Sequence, residues 1–277
     1  MDNLSSILKN QKTWQENTES LSALTECQKC SHEIKPILIP LINKVIHPAC
    51  QCICQEYLKK EEERIKKAKQ DRVNKLLKSS GLGKKFKDCT FDNWKQRKGT
   101  EKSLQAARRY TENLEGNMID GKGLILFGEP GNGKSHLVAA ISNELIKRGY
   151  IVVFERVPRL LAKIRSTYRG GPVSDEEIMS ALIKSDLLVL DDAGVEKCTE
   201  WTEQSLYTII DERYTEKRPV IVTTNSDLEG LEKKIGPRSM DRLLEMCEIV
   251  ENRGTSYRQE LAWSTKKGGN TYCGAKG

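Results

Sequence analysis

The 277-residue sequence predicts an α/β fold, a parallel sheet covered by helices on both faces, preceded by a small cysteine-rich module. Three observations predict it. From about residue 86 onward, short apolar runs alternate with amphipathic stretches, the pattern of repeated strand–helix–strand units. A glycine-rich loop, GEPGNGKS at 128–135, joins one apolar run directly to one helical stretch. Five of the nine cysteines fall between Cys27 and Cys54.

Taken in order, residues 1–57 hold that cluster. Residues 58–78, LKKEEERIKKAKQDRVNKLLK, are almost all charged, with alternating sign and few apolar positions. They read as a solvated helix or connector, with 58–85 as the linker. The core follows at 86–261. GLILF at 123–127 is a buried strand that runs into the glycine loop, and a helix from Lys134 to about Arg148 stops at Gly149. IVVFE at 151–155 is the next strand. Helices follow at 157–169 and 174–185, split by the GGP turn at 170–172. LLVLDD at 187–192 is a strand, 201–217 a helix and PVIVTTN at 219–225 a strand. Residues 262–277, rich in Gly and Lys, read as a loose tail.

Lys and Arg number 46 against 39 Asp and Glu, a formal charge of +7. That mild excess fits a nucleic-acid contact or an acidic protein partner. No stretch approaches the roughly 20 apolar residues of a membrane helix, and the N-terminus lacks the pattern of a secretory signal. The expected setting is cytoplasmic, without a membrane partner.

Gly128, Gly133, Lys134 and Ser135 complete the phosphate-loop pattern G-x-x-x-x-G-K-[ST]. The expected ligand is ATP with Mg²⁺, and the expected reaction is its hydrolysis. Glycines 128, 131 and 133 let the backbone of Glu129, Pro130 and Asn132 wrap the phosphates, and Lys134, Ser135 and His136 open the helix whose N-terminus faces them. Lys134 would reach the β- and γ-phosphates and Ser135 would ligate Mg²⁺. LLVLDD sets two carboxylates at the mouth of the sheet, where ligands bind in parallel sheets. Asp191 would hold the Mg²⁺ shell and Asp192 would orient or deprotonate the attacking water. Asn225, ending the next strand, would position the water or sense the γ-phosphate. Arg242 and Arg258 are candidates to neutralise transferring charge, although the residues alone leave both as ordinary surface arginines.

Cys27-x-x-Cys30 and Cys50-x-Cys52 have metal-ligand spacing, and two such pairs about twenty residues apart close a tetrahedral Zn²⁺ site. Cys54 and His47 remain alternatives for one position.

GEPGNGKSHLVAAISNEL, DLLVLDDAG, RPVIVTTNS and IGPRSMDRLLE…SYR, in this order, resemble the AAA+ ATPases that load replicative helicases, the DnaC and DnaI type. The match runs from about 80 to 260. The resemblance implies a five-stranded parallel AAA+ core. It implies an arginine finger at Arg242 that reaches a neighbour's ATP, a second sensor at Arg258 and a first sensor at Asn225. Residues 157–185 correspond to an insertion that faces single-stranded DNA, here with Arg159, Lys163, Arg165, Tyr168 and Arg169. FKDCTFDNW at 86–94 is expected near the adenine. Asp191-Asp192 departs from the Asp-Glu of many AAA+ proteins, which implies slow hydrolysis. In DnaI-type loaders a zinc module of this layout grips the helicase. The implied function is ATP-dependent loading of the replicative helicase onto single-stranded DNA, with self-association through ATP interfaces. An IstB-type transposition helper on duplex DNA and an ATP-switched DNA-binding regulator are the alternatives.

Overall fold

The computed structural model describes residues 26–27, 29–34, 37–39, 44–46, 50–76, 85–168, 174–195 and 198–268. It divides into two compact units, 1–65 and 66–277.

In the first unit, β1 (Ile37–Ile39) and β2 (Lys44–Ile46) form a short antiparallel hairpin, Ile37 opposite Ile46. Ahead of it the chain turns tightly at 27–32. The Cys27 amide donates to the His32 carbonyl at 2.9 Å and the Ser31 amide to the Cys27 carbonyl at 2.8 Å. Helix α1 (Gln51–Leu76) begins directly after Cys50 and crosses the boundary between the units. Its Tyr57, Leu58 and Ile65 are exposed. It starts seven residues earlier than the charge pattern alone indicates, so Cys52 and Cys54 lie on it.

The second unit is a five-stranded parallel sheet in the order β4-β5-β6-β3-β7. Its strands are β3 (Gly123–Phe127), β4 (Val152–Arg156), β5 (Leu187–Ala193), β6 (Val220–Thr224) and β7 (Cys247–Glu251). Their residues alternate between two cores, as a pleat requires. Ile125, Val153, Leu188, Leu190, Val220 and Val222 face one side. There they meet α5 (Val157–Thr167), α6 (Asp175–Lys184), α7 (Glu200–Thr215), α8 (Leu228–Ile235) and α9 (Pro237–Met246). Leu124, Leu126, Val152, Phe154, Leu187, Val189 and Ile221 face the other, against α2 (Glu101–Glu112) and α4 (Lys134–Lys147). A short α3 (Leu114–Asp120) connects α2 to β3.

Local chemistry sets the ends. Ser174 and Glu177 form a capping box on α6, and Thr199 with Thr202 does the same on α7. Buried Arg213 on α7 donates to the carbonyls of Leu182, Ile183, Ser185, Asp186 and Pro219 at 2.6–3.3 Å, satisfying the end of α6. Gln70 of α1 pairs with β4 in both directions: its amide nitrogen donates to the Val152 carbonyl at 3.0 Å and its oxygen accepts from the Val152 amide at 2.8 Å. Helix α10 (Tyr257–Gly268) takes up the first part of the stretch expected to be a loose tail. Residues 269–277, Arg169 and the 170–172 turn lie outside the described residues.

Candidate functional site

The loop after β3 turns back on itself through three left-handed glycines, Gly128 (φ 135°), Gly131 (φ 81°) and Gly133 (φ 103°). Only glycine fits here for a second reason. A Cβ on each would run into the Asn252 carbonyl, the Ser256 hydroxyl and the Trp94 ring respectively. The loop is pinned from outside. Asn132 is fully buried and its amide donates to the Asn252 carbonyl at 2.5 Å, while the Tyr257 amide donates to the Gly131 carbonyl at 3.0 Å. These bonds also bring Arg258, one residue on, to the loop.

Lys134 opens α4, is 4% exposed and donates to the carbonyls of Gly128 (2.7 Å) and Glu129 (2.9 Å) and to Asn132 Oδ1 (3.2 Å). Burial lowers its pKa from the ordinary lysine value to about 8, although Asp192 and Asp191 pull it back up.

Asp191 is fully buried at the tip of β5. It hydrogen-bonds Ser135, and its Oδ1 accepts from Thr223 Oγ1 at 2.7 Å. Burial raises its carboxyl, and those two bonds oppose the rise. A bulge between Leu190 and Ala193 puts Asp192 at φ 55°, so that it turns toward the cleft while its amide donates to Thr223 Oγ1 at 3.0 Å. Arg156 stands opposite Asp191 in the β4–β5 register. Its Nε lies 3.6 Å from Asp191 Oδ2 and 3.7 Å from Asp192 Oδ2.

These groups surround one cleft of about 700 Å³. Its walls include Pro130, Gly131, Asn132, Gly133, Lys134, Ser135, His136, Asp192, Asn225 and Arg258, all expected from the sequence. Gly128, Glu129 and Asp191 bond to residues of that wall. Phe86, Cys89, Asn93 and Trp94 of the 86–94 segment form the far side, with Trp94 edge-on to His136 at 5.3 Å. Sequence reasoning missed Arg156, Lys85, Lys95 and Arg97. Among the described residues that line the cleft, they give a wall of six cations, with Lys134 and Arg258, and one carboxylate, Asp192. Such a wall selects a polyanion.

Arg242 does not line the cleft. It lies on α9 with its Nε donating to Asp211 Oδ1 of α7 at 3.0 Å. On α5, Lys163 pairs with buried Glu155, Arg159 is exposed, and Arg165 lies 4.4 Å from the Trp201 ring. Tyr168 is exposed and edge-on to the same ring at 6.3 Å.

In the first unit, Cys27, Cys30 and Cys50 hold their sulfurs within 4.8 Å of one another. Cys27 and Cys50 are buried, and the turn at Ser31 (φ 54°) presents the first pair to the third thiol. Three thiols at that spacing fit a tetrahedral Zn²⁺ site. The side chains of Cys52 and Cys54 and all of His47 lie outside the described residues, so the fourth position is not among them.

The model of the family described as "IstB-like ATP binding protein" matches residues 55–264. The chain belongs to the IstB-like ATP-binding family. Among curated relatives of this IstB-like protein, the replicative helicase loader DnaC of Escherichia coli (strain K12) is 35% identical over 191 residues, 66% of this chain and 77% of its own. The uncharacterized protein YdaV of the same organism is 33% identical over 186 residues, 67% and 73% of the two chains. Among solved structures, a DnaC helicase loader superposes with a TM-score of 0.56 at 26% identity, over 62% of this chain and all of that one. A DnaI structure gives 0.52 at 26%, over 62% and 91%. DnaA from Aquifex aeolicus bound to AMPPCP, at 22% identity and a TM-score of 0.53, shares the fold. The IstB-like core is therefore an AAA+ fold. Among the described residues no helix is long and apolar enough to cross a membrane.

Proposed function

We propose that this protein is an ATP-dependent loader of a replicative DNA helicase onto single-stranded DNA. The observation that carries the reading is the 35% identity to DnaC across 191 residues. ATP enters that cleft with its phosphates on the 128–133 loop and the N-terminus of α4. Lys134 leaves its loop carbonyls for the β- and γ-phosphates, and Arg258 meets the terminal phosphate from α10. Ser135 and Asp191 hold Mg²⁺, which neutralises phosphate charge when bound. Asp192 and Asn225 orient the attacking water, and Arg242 serves the site of a neighbouring copy. The 86–94 segment encloses the base. The reaction is slow ATP hydrolysis, stimulated by DNA or partner.

Residues 157–185 supply Arg159, Lys163, Arg165 and Tyr168 for single strands, phosphate charge beside a stacking ring. The first unit holds Zn²⁺ on Cys27, Cys30, Cys50 and a fourth ligand, Cys52 or in its place Cys54 or His47, and grips the helicase. Residues 1–57, 58–85, 86–261 and 262–277 serve as helicase grip, connector, ATPase core and tail.

The test is transfer of a purified replicative helicase to circular single-stranded DNA, with ATP and either the wild-type protein or its Lys134→Ala variant. Expected are helicase–DNA complexes that need the wild-type protein and ATP. Equal loading by Lys134→Ala removes the ATP-dependent mechanism. The family description keeps a second reading, an IstB-type transposition helper, in view. Tighter binding to duplex than to single strands favours it.

A further inference from the structure

Arg242 is a half-buried arginine held from two sides. Its Nε, the donor nearest the stem, gives its bond to Asp211 Oδ1 at 3.0 Å. Its guanidinium carbon lies 4.8 Å from the ring centre of Tyr214. That ring is itself fixed, because the Tyr214 hydroxyl donates to Glu245 Oε2 at 2.7 Å. Asp211 and Tyr214 belong to α7, and Arg242 and Glu245 to α9, so the clamp spans two packed helices. One turn earlier on α9 and two turns earlier on α7, Arg238 lies over Tyr207 at 5.9 Å, yet no hydrogen bond from Arg238 to a carboxylate is found among the described residues.

The clamp engages the guanidinium on its Nε edge and leaves the terminal nitrogens to other partners. Arginine–carboxylate pairs are frequently bidentate, on two nitrogens at once, whereas Asp211 meets Nε alone. Here one terminal nitrogen meets only Asp241, whose side chain is 75% exposed, at 3.3 Å. Such an exposed pair is worth little and gives way easily. The tip of Arg242 is thus presented outward from a plane fixed by a carboxylate and a ring. A free arginine loses rotamer freedom when it is immobilised, and a pre-ordered one has already lost it.

We infer that Asp211 is the positioning residue for Arg242, fixing its guanidinium so that its terminal nitrogens can meet phosphate on a second copy of this chain. This rests on the proposed role of Arg242 at a shared ATP site. It extends that role to a residue on another helix that touches neither nucleotide nor metal.

The experiment compares wild type with Arg242→Ala, Asp211→Ala, Asp211→Asn and the Arg242→Ala/Asp211→Ala double variant, all full length and checked for folding by circular dichroism. Single-stranded-DNA-stimulated turnover gives kcat and KM, and a fluorescent ATP analogue gives nucleotide affinity. Sedimentation with a non-hydrolysable ATP analogue reads self-association without turnover. Expected for Asp211→Ala is a fall in kcat of about tenfold, or ~1.4 kcal/mol in barrier, with nucleotide affinity unchanged and weaker nucleotide-dependent association. Asp211→Asn keeps an oxygen for Nε and recovers most of both. The double variant matches Arg242→Ala alone, because Asp211 acts only through that side chain. Normal or raised kcat in Asp211→Ala, with Arg242→Ala inactive, overturns the positioning role and leaves the shared site standing. Unchanged kcat and association in Arg242→Ala overturn both.

Discussion

Lys134 gives the sharpest prediction because its environment changes sign when nucleotide arrives. In this structure the ammonium is buried and bonded to neutral oxygens, and burial brings its pKa to about 8. Phosphates beside it favour the charged form and restore the pKa toward the ordinary lysine value. Binding above pH ~8 must therefore take up a proton. At about pH 7 roughly nine-tenths of the sites are already protonated, and at about pH 9 roughly one-tenth are. Affinity for Mg·ATP should fall about tenfold between those two values, ~1.4 kcal/mol. The same depression means that, without nucleotide, the folded chain binds fewer protons than the unfolded one between pH ~8 and ~10.5, so this group makes stability rise with pH there. The assay is titration with a fluorescent ATP analogue at saturating Mg²⁺, beside calorimetry in two buffers of different ionisation enthalpy to count the proton. Lys134→Met, with no titrating group, should bind weakly with a flat profile. A flat wild-type profile, or an equal slope in Lys134→Met, refutes the reasoning.

Two further outcomes are expected. Arg213→Met should destabilise the protein by about 3–5 kcal/mol in urea unfolding, because it strands buried carbonyls at the end of α6. Arg213→Lys should recover only part, since one ammonium cannot span from Leu182 to Pro219, and a loss below about 1 kcal/mol in Arg213→Met contradicts the account. Metal analysis should find about one Zn²⁺ per chain, lost in Cys27→Ser. Chelation should abolish helicase capture and leave ATP affinity unchanged, because every residue of the nucleotide cleft lies in the second unit.

What the sequence disclosed was what the chain keeps together. The loop at 128–135 is eight consecutive residues whose glycines, lysine and serine state their chemistry without reference to the rest of the fold. The tip of β5 was legible for the same reason, an apolar run closed by two acids. The 27–30 pair was too, since a four-residue turn brings both thiols round. Helices α2, α3, α8 and α9 were not resolved as separate elements. Stretches such as LEGLEKKIGPRSMDRLLEM read first as motif and only then as two helices broken at Gly236, whose φ of 86° and left-handed backbone divide them.

The silent residues share a different property: their partners are set by packing at long range. Arg156 gains its role from a register that places it opposite Asp191, thirty-five positions later. Thr223 is an unremarkable strand residue until β6 lies beside β5, when its hydroxyl holds Asp191 and the amide of Asp192 together. Asp211 lies in a helix that pattern alone recovers, yet its meaning depends on α9 crossing α7 with Arg242 at the contact. Arg242 carries this furthest. Within one chain its partners are two aspartates and a tyrosine, ordinary enough to end the inquiry. A clamp that holds an arginine by its stem side is stabilising only in part within the monomer. Its remaining worth lies in the entropy it removes before a second surface arrives. That is why the test of Asp211 must be read in assembly and turnover, where a purely structural pair would leave no trace.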